Sequence, residues 1–313
     1  MSDVMGVLLM AYGSPDRLED VEAYYTHIRG GRKPAPEFVA ELKERYKTVG
    51  GRTPLSEISE ATRSGLEAQL NSSRDDRYRV FLGMKHWHPY IEQAVGEMRD
   101  EGHDRAVGLV LAPHYSRMSI AGYFHYVDDA QEKLGSHIEI LPVESWHLHP
   151  SYLEAVAKRT RSRLADFPAG SDVTVVFTAH SLPEKILEHA DPYPRQLQET
   201  SQAIAQMLGL ERWTFSYQSA GRTPDPWLGP DIVDTVHDLA DQGVQHILVA
   251  PVGFVSEHLE IHYDIDFEAQ RAASDRGVTL KRIEMLNSSS DFVAGLAEVV
   301  RQRAAKARAL PTT

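Results

Sequence analysis

One segment of this sequence concentrates carboxylates and imidazoles at spacings that could bind a metal ion or accept protons. From Glu257 to Glu268 the chain reads EHLEIHYDIDFE. Glu260, Asp264 and Glu268 recur at every fourth position, so an α-helix would align them as one acidic ridge. Imidazole and carboxylate ligands together suit divalent first-row metals such as ferrous iron, cobalt or zinc. The alternative interpretation is a solvated acidic surface.

Three familiar motifs are absent from the sequence. His258 and His262 are one helical turn apart, but leucine follows the first histidine where a zinc metalloprotease of the HExxH type has glutamate. The sequence also has neither a GxGxxG nor a GxxxxGK[ST] pattern. Metalloprotease and nucleotide-binding functions therefore have no motif support.

His180 is the second candidate for chemistry. It follows the apolar run 173–177, which is short and rich in β-branched residues and so predicts a buried parallel strand. Open α/β sheets bind ligands beyond the carboxyl ends of their strands. With an ordinary pKa of about 6.5, a neutral His180 is expected at pH 7, able to accept a proton or bind a metal. The alternative is a histidine that satisfies a backbone group in a turn.

The two halves of the chain show signs of an internal duplication. Two pairs of segments match: 9–15 with 177–183, and 89–102 with 230–243. If the match reflects duplication, Tyr12 and His180 follow equivalent strands and would face each other across a cleft between two similar lobes. Such a pair would contact the two faces of a flat ligand. The alternative is that α/β units of any origin share these patterns.

The elements that must position these residues alternate between apolar runs and amphipathic stretches. This alternation predicts an α/β fold with a parallel sheet in each half. We expect an N-terminal lobe over residues 1–145 and a C-terminal lobe over 146–289, related by a pseudo-two-fold axis. A closing helix at about 290–310 is expected to pack back on the first lobe. The run His86-Trp87-His88 is expected to serve packing more than chemistry.

Composition limits the partners. The 313 residues are 42% hydrophobic and 25% charged, which is typical of a globular protein. With 33 basic and 45 acidic residues the net charge is -12, which disfavours nucleic acid or an anionic membrane as the main partner. There is no cysteine, so Cys-ligated metal sites are excluded. No signal peptide or membrane span is evident, and a cytoplasmic location is expected.

A local basic region contrasts with this acidic average. Between Arg29 and Arg52 basic residues outnumber acidic ones. Arginine binds carboxylates with two parallel hydrogen bonds, so the region could hold a substrate that carries carboxylates. A basic surface without a ligand is the alternative.

Taken together, these segments resemble the bacterial ferrochelatase family, of the coproporphyrin type, over nearly the whole chain. The resemblance rests on seven segments: 10–13, 24–29, 111–116, 178–185, 191–194, 223–230 and 251–260. The elements His180-Ser181-Leu182-Pro183 and Asp225-Pro226-Trp227-Leu228-Gly229-Pro230 are highly specific in combination. One departure is Thr53, which stands where serine is common in the family and keeps the hydroxyl.

The resemblance implies two flavodoxin-like lobes of the class II chelatase kind, with a porphyrin in the cleft between them. It implies insertion of ferrous iron into coproporphyrin III, with His180 and Glu260 as the pair that handles metal and accepts protons. Tyr12 would contact the product iron from the opposite face, and Asp264 and Glu268 would continue an outer acidic ridge. Substrate binding is implied for six residues: Tyr12, Arg29, Arg45, Tyr46, Thr53 and Tyr123.

The resemblance also implies partners and leaves alternatives open. Iron is a substrate, no tightly bound cofactor is expected, and the lack of cysteine excludes the iron–sulfur cluster of many actinobacterial relatives. A monomer is expected, without membrane insertion. Its expected protein partners are a transient iron donor and the downstream coprohaem decarboxylase. Alternatives are a protoporphyrin IX ferrochelatase, a cobalt or nickel chelatase for another tetrapyrrole, or a non-catalytic haem- or metal-binding protein.

Overall fold

The computed structural model describes residues 4–73, 77–221 and 223–309, and the chain divides into two compact units. The first unit contains the chain up to Pro113, Ser119–Trp146 and the part from Asn287 onward. The second contains His114–Met118 and His147–Leu286. The short segment 114–118 thus leaves the first unit and packs with the second. There the Asp191 carboxylate accepts hydrogen bonds from the Ser116 hydroxyl and the Arg117 backbone N–H, at 3.0 and 2.8 Å.

The first unit is built on a four-stranded parallel sheet with the strand order β2-β1-β3-β4. The strands are β1 Met5–Ala11, β2 Tyr78–Met84, β3 Arg105–Val110 and β4 Glu139–Val143. The helices are α1 Val21–Ile28, α2 Pro36–Thr48, α3 Leu55–Leu70, α4 Ile91–Asp100 and α5 Ile120–Leu134. Every residue of β1 is buried, as expected for a central strand covered on both faces. Tyr12 follows this strand directly, at its carboxyl end.

The second unit repeats this arrangement with the strand order β6-β5-β7-β8, again all parallel. Its strands are β5 Val173–His180, β6 Trp213–Gln218, β7 His246–Ala250 and β8 Thr279–Arg282. Its helices are α6 Pro150–Leu164, α7 Tyr193–Leu208, α8 Ile232–Asp241, a π-helix Ile261–Ala269 and α9 Gln270–Asp275. An apolar cluster that includes Val176, Val236 and Ile265 joins the sheet, α8 and the π-helix.

The matched segments of the sequence occupy matched places in the two sheets. In the first unit the Met84 backbone N–H donates to the Pro89 carbonyl at 2.6 Å, just beyond the end of β2. In the second unit the Tyr217 N–H donates to the Pro230 carbonyl at 2.8 Å, at the end of β6. Because strand order and this hydrogen bond recur together, the two units have the same topology, as the duplication predicts.

The last helix, α10 Ser290–Ala309, contacts α3, β3 and β4 of the first unit. Its Arg301 donates to the backbone carbonyls of Gln69 and Leu70 at the end of α3, at 2.8 and 3.2 Å. Its Arg303 donates to the Pro142 carbonyl in β4 at 3.0 Å. Among the residues described, no helix combines the length and apolar character needed to cross a membrane.

Candidate active site

His180 is the last residue of β5, so the strand runs farther than the apolar run 173–177 indicates. Its position at the carboxyl end of a central parallel strand is the one predicted. The imidazole Nδ1 makes a short hydrogen bond to the Ser181 carbonyl. A carbonyl can only accept, so Nδ1 carries a hydrogen and Nε2 is left to face the rest of the site.

The carboxylate of Glu260 lies between two imidazoles. Its Oε1 is 3.4 Å from Nε2 of His180, and its Oε2 is 3.5 Å from Nε2 of His258. The Nδ1 of His258 donates to the Ser256 carbonyl at 2.9 Å. Both rings therefore use Nδ1 to hold a backbone carbonyl and present Nε2 to the same carboxylate. His258 was not predicted as a site residue, although it lies two residues before Glu260 in the sequence.

The pair His180–Glu260 changes the charge state expected from the sequence. Burial by itself lowers the pKa of His180, but the charge and hydrogen bond of Glu260 outweigh it and raise the pKa to about 9. Burial likewise raises the pKa of Glu260, yet His180 and His258 hold that pKa well below its usual range. The expectation of a neutral His180 at pH 7 is therefore wrong for this structure: imidazolium and carboxylate form an ion pair.

The segment that carries the carboxylates is helical, but its central part is a π-helix, Ile261–Ala269, rather than the predicted α-helix. The N–H of Gln270 donates to the carbonyl of Ile265, five residues back, which is the π pattern. The segment is helical, as expected, and the role of its carboxylates as an outer acidic ridge stays a prediction.

The three carboxylates of the predicted acidic ridge differ in their surroundings. Glu260 has a side chain that is 33% exposed, Asp264 is buried at 4%, and Glu268 is half-buried. Asp264 accepts a short hydrogen bond from the Ser219 hydroxyl and its charge helps raise the pKa of His180.

A buried glutamine fixes the backbone at Glu260. Gln218, at the end of β6, has no exposed surface. Its Nε2 donates to the Glu260 carbonyl at 3.2 Å, and its Oε1 accepts from the Thr178 hydroxyl at 2.9 Å. Sequence reasoning missed Gln218 and Ser219, since nothing in their local sequence signals that one contacts the Glu260 carbonyl and the other the Asp264 carboxylate.

In the first unit, Tyr12 lies among aromatic side chains. It is 43% exposed, and its ring stands edge-on to His86 with centroids 4.7 Å apart. His86 and Trp87 are buried, as the packing interpretation expects, whereas His88 is exposed. Tyr123 is also buried, and burial first and Tyr12 second raise its pKa well above the usual range. The Nζ of Lys85 lies 5.0 Å from the centre of the Tyr123 ring.

Two further predicted binding residues, Tyr46 and Thr53, are joined by a hydroxyl that the sequence analysis did not select. The Oγ of Ser14 lies 3.1 Å from the Tyr46 hydroxyl and 2.9 Å from the Thr53 hydroxyl. All three residues are buried, at 3%, 2% and 5% exposure. The pairing shows that Thr53 uses the hydroxyl that it shares with serine.

The two predicted arginines differ in exposure. Arg29 follows the last residue of α1 and is exposed, with its backbone N–H bonded to the Tyr25 carbonyl. Arg45 lies in the last turn of α2, half-buried, with Nε 3.8 Å from a carboxylate oxygen of Glu41. Within the first unit, the structure thus joins Tyr46 to Thr53 through Ser14.

Known proteins match this chain over nearly its whole length. The family model described as Ferrochelatase matches residues 4–304. A protein named Ferrochelatase from Herpetosiphon aurantiacus is 46% identical over 96% of this chain and 99% of its own length. A protein named Coproporphyrin III ferrochelatase from Bacillus subtilis is 44% identical over 96% and 97%.

Solved structures support the fold alone. SirB from Bacillus subtilis with Fe³⁺ aligns with a TM-score of 0.61 at 11% identity, covering 97% of both chains. CbiX, described as the terminal enzyme of sirohaem biosynthesis in denitrifying bacteria, aligns with a TM-score of 0.57 at 13% identity, over 98% and 100%. The fold is that of the class II chelatases. With a family model matched over nearly its whole length and relatives above 40% identity, this chain belongs to the ferrochelatase family.

Proposed function

We propose that this protein inserts ferrous iron into coproporphyrin III to form Fe-coproporphyrin III (coprohaem), a step of haem b biosynthesis. The observation that carries the proposal is the position of the Glu260 carboxylate between His180 and His258, close to the carboxyl end of β5. The site occurs in a chain whose relatives include several proteins named coproporphyrin III ferrochelatase.

The reaction breaks two pyrrole N–H bonds, releases two protons and forms bonds from four nitrogens to iron, which stays ferrous. A site for this reaction needs a place for Fe²⁺ and acceptors for protons. His180 and Glu260 offer both, because neutral imidazole and carboxylate are each metal ligands and bases. We assign them the catalytic and metal-handling roles, with Asp264 and Glu268 as outer carboxylates on the route of metal or protons.

The ion pair between His180 and Glu260 sets the order of events. An imidazolium cannot bind iron or take a pyrrole proton. A nearby Fe²⁺ disfavours the imidazolium because like charges repel, so its approach would release the His180 proton toward solvent by way of the outer carboxylates and leave Glu260 ionised. Neutral His180 could then bind the metal or accept a pyrrole proton, while His258 offers the second oxygen of Glu260 a further proton partner.

We assign porphyrin binding to residues of the first unit, with Arg29 and Arg45 for the propionate carboxylates and Tyr12 for an axial contact to product iron. Arginine suits this task because its planar guanidinium binds carboxylates at two points. Tyr46, Thr53 and Tyr123 complete the proposed binding set. A monomeric state, a cytoplasmic location, a transient iron donor and a coprohaem decarboxylase as the next enzyme stay predictions.

Anaerobic mixing of the protein with coproporphyrin III and Fe²⁺, followed by absorbance, tests the proposal. Multiple turnovers to the metalloporphyrin spectrum are expected. A spectral change that stops at one equivalent would indicate a carrier rather than an enzyme. Parallel reactions with protoporphyrin IX and with Co²⁺ determine the choice of porphyrin and metal, and faster turnover of protoporphyrin IX would contradict the proposed substrate.

A further inference from the structure

Arg282 is a half-buried cation at the end of β8. Its side chain is 13% exposed, and all five of its N–H donors have acceptors. Nε and Nη2 donate to the two oxygens of Asp266, each at 2.8 Å. Nη1 and Nη2 donate to the two oxygens of Glu257, each at 3.2 Å. The second hydrogen of Nη1 is used by the Ile283 carbonyl at 3.0 Å. One guanidinium thus holds two carboxylates in bidentate geometry.

Glu257 and Asp266 flank the stretch of chain that carries Glu260 and Asp264. Glu257 precedes Glu260, and Asp266 follows Asp264 within the π-helix. Arg282 therefore ties both ends of this stretch to the end of a sheet strand. His262 reinforces the clamp, since its two ring nitrogens lie 3.3 Å from an oxygen of Asp266 and 3.6 Å from one of Glu257.

A π-helix needs such support from outside its own backbone. Continuous π-helix is rare and usually occurs as a single turn inside an α-helix, whereas this one runs over nine residues. The buried apolar residues Ile261 and Ile265 hold its inner side. The clamp holds its outer side, and the two together fix the register that directs Glu260 toward His180.

We infer that Arg282 is a positioning residue for metallation, whose guanidinium clamps Glu257 and Asp266 and so holds Glu260 beside His180 and Asp264 beside Ser219. The inference rests on the proposed function. Arg282 contacts none of the groups assigned to iron or porphyrin. Its effect is geometric, and a displacement of about 1 Å in an active site can reduce the rate about 100-fold.

The variant Arg282→Lys tests the inference, because lysine keeps the charge but loses the planar fork. Arg276→Lys is the matched control, since Arg276 also pairs with a carboxylate of this unit, Asp241, but lies beyond the π-helix. Both variants are assayed as the full chain for coproporphyrin III affinity by fluorescence quenching and for kcat and KM with Fe²⁺. We expect Arg282→Lys to lower kcat about 10-fold or more with porphyrin affinity within about twofold, and Arg276→Lys to match the wild type.

Asp266→Asn supplies a second, independent test if Arg282→Lys does not fold. It removes one carboxylate of the clamp, and an intermediate loss of kcat is expected. Because both substitutions break the same clamp, the double variant should be no slower than Arg282→Lys alone. Wild-type kcat in either single variant, or fully multiplicative losses in the double variant, would overturn the positioning role. A wild-type protein that does not metallate would instead overturn the proposed function.

Discussion

The Oε1 atom of Glu260 lies 3.4 Å from the Nε2 atom of His180, and this contact sets the charge of both residues. It converts an imidazole that would be mostly neutral at pH 7 into an imidazolium, with a pKa of about 9. Proton removal in the free enzyme is therefore governed by the pair and not by His180 alone.

The titration of His180 can be observed directly. The pKa is raised above the ordinary value of 6.5, so the stabilisation from this residue is complete below about pH 6.5 and is lost as pH rises through about 9. NMR of ¹³C-labelled histidine should give a midpoint near 9 in the wild type and a markedly lower midpoint in Glu260→Gln, where burial still lowers the pKa and the charge of Glu260 no longer raises it. A wild-type midpoint near 6.5 would contradict the ion pair.

His180→Ala should abolish metallation while porphyrin still binds, because the variant loses the proposed base and metal ligand but no residue assigned to porphyrin. We expect kcat to fall at least 100-fold, with the affinity for coproporphyrin III changed by less than about threefold. His189→Ala, at an exposed histidine of the same unit, is the control. Retention of near wild-type iron insertion by His180→Ala would remove His180 from the mechanism.

Arg29→Ala should mainly weaken porphyrin binding. A hydrogen bond to a charged group contributes about 1.5–3 kcal/mol, so Kd for coproporphyrin III should rise about 10- to 100-fold in fluorescence titrations. Lys33→Ala is the control, since Lys33 lies in the same loop and its exposed side chain pairs with Glu22 at 3.5 Å. A defect in kcat with unchanged Kd would show that Arg29 does not hold the substrate.

Gln218→Met should destabilise the second unit. The substitution keeps the size of the side chain but leaves the buried Thr178 hydroxyl and the Glu260 carbonyl without their partner. We expect the free energy of unfolding in urea to fall by about 1–3 kcal/mol and kcat to fall with it. Gln206→Met, at an exposed position on α7, should change stability by less than about 0.5 kcal/mol. Equal stabilities of the two variants would argue against the Gln218 contacts.

The sequence alone determined the features that depend on local composition. Apolar runs such as 173–177 predicted parallel strands, because a strand buried on both faces must be apolar throughout. The repeated segments predicted two units of one topology, and the family motifs selected Tyr12, His180 and Glu260. The strands and the shared topology are confirmed because they depend on the pattern of residues along the chain, whereas the roles of Tyr12, His180 and Glu260 stay predictions.

Only the tertiary structure decided the charge state of His180 and the course of the helix beside it. A pKa depends on charges within a few ångströms in space, and Glu260 is distant from His180 in sequence. Likewise the α and π forms of the segment 261–269 differ in register rather than in composition, and the choice follows from contacts such as the clamp of Arg282 on Glu257 and Asp266. The residue types indicated the chemistry. Their protonation and alignment depend on partners that are distant in sequence and that the fold brings close.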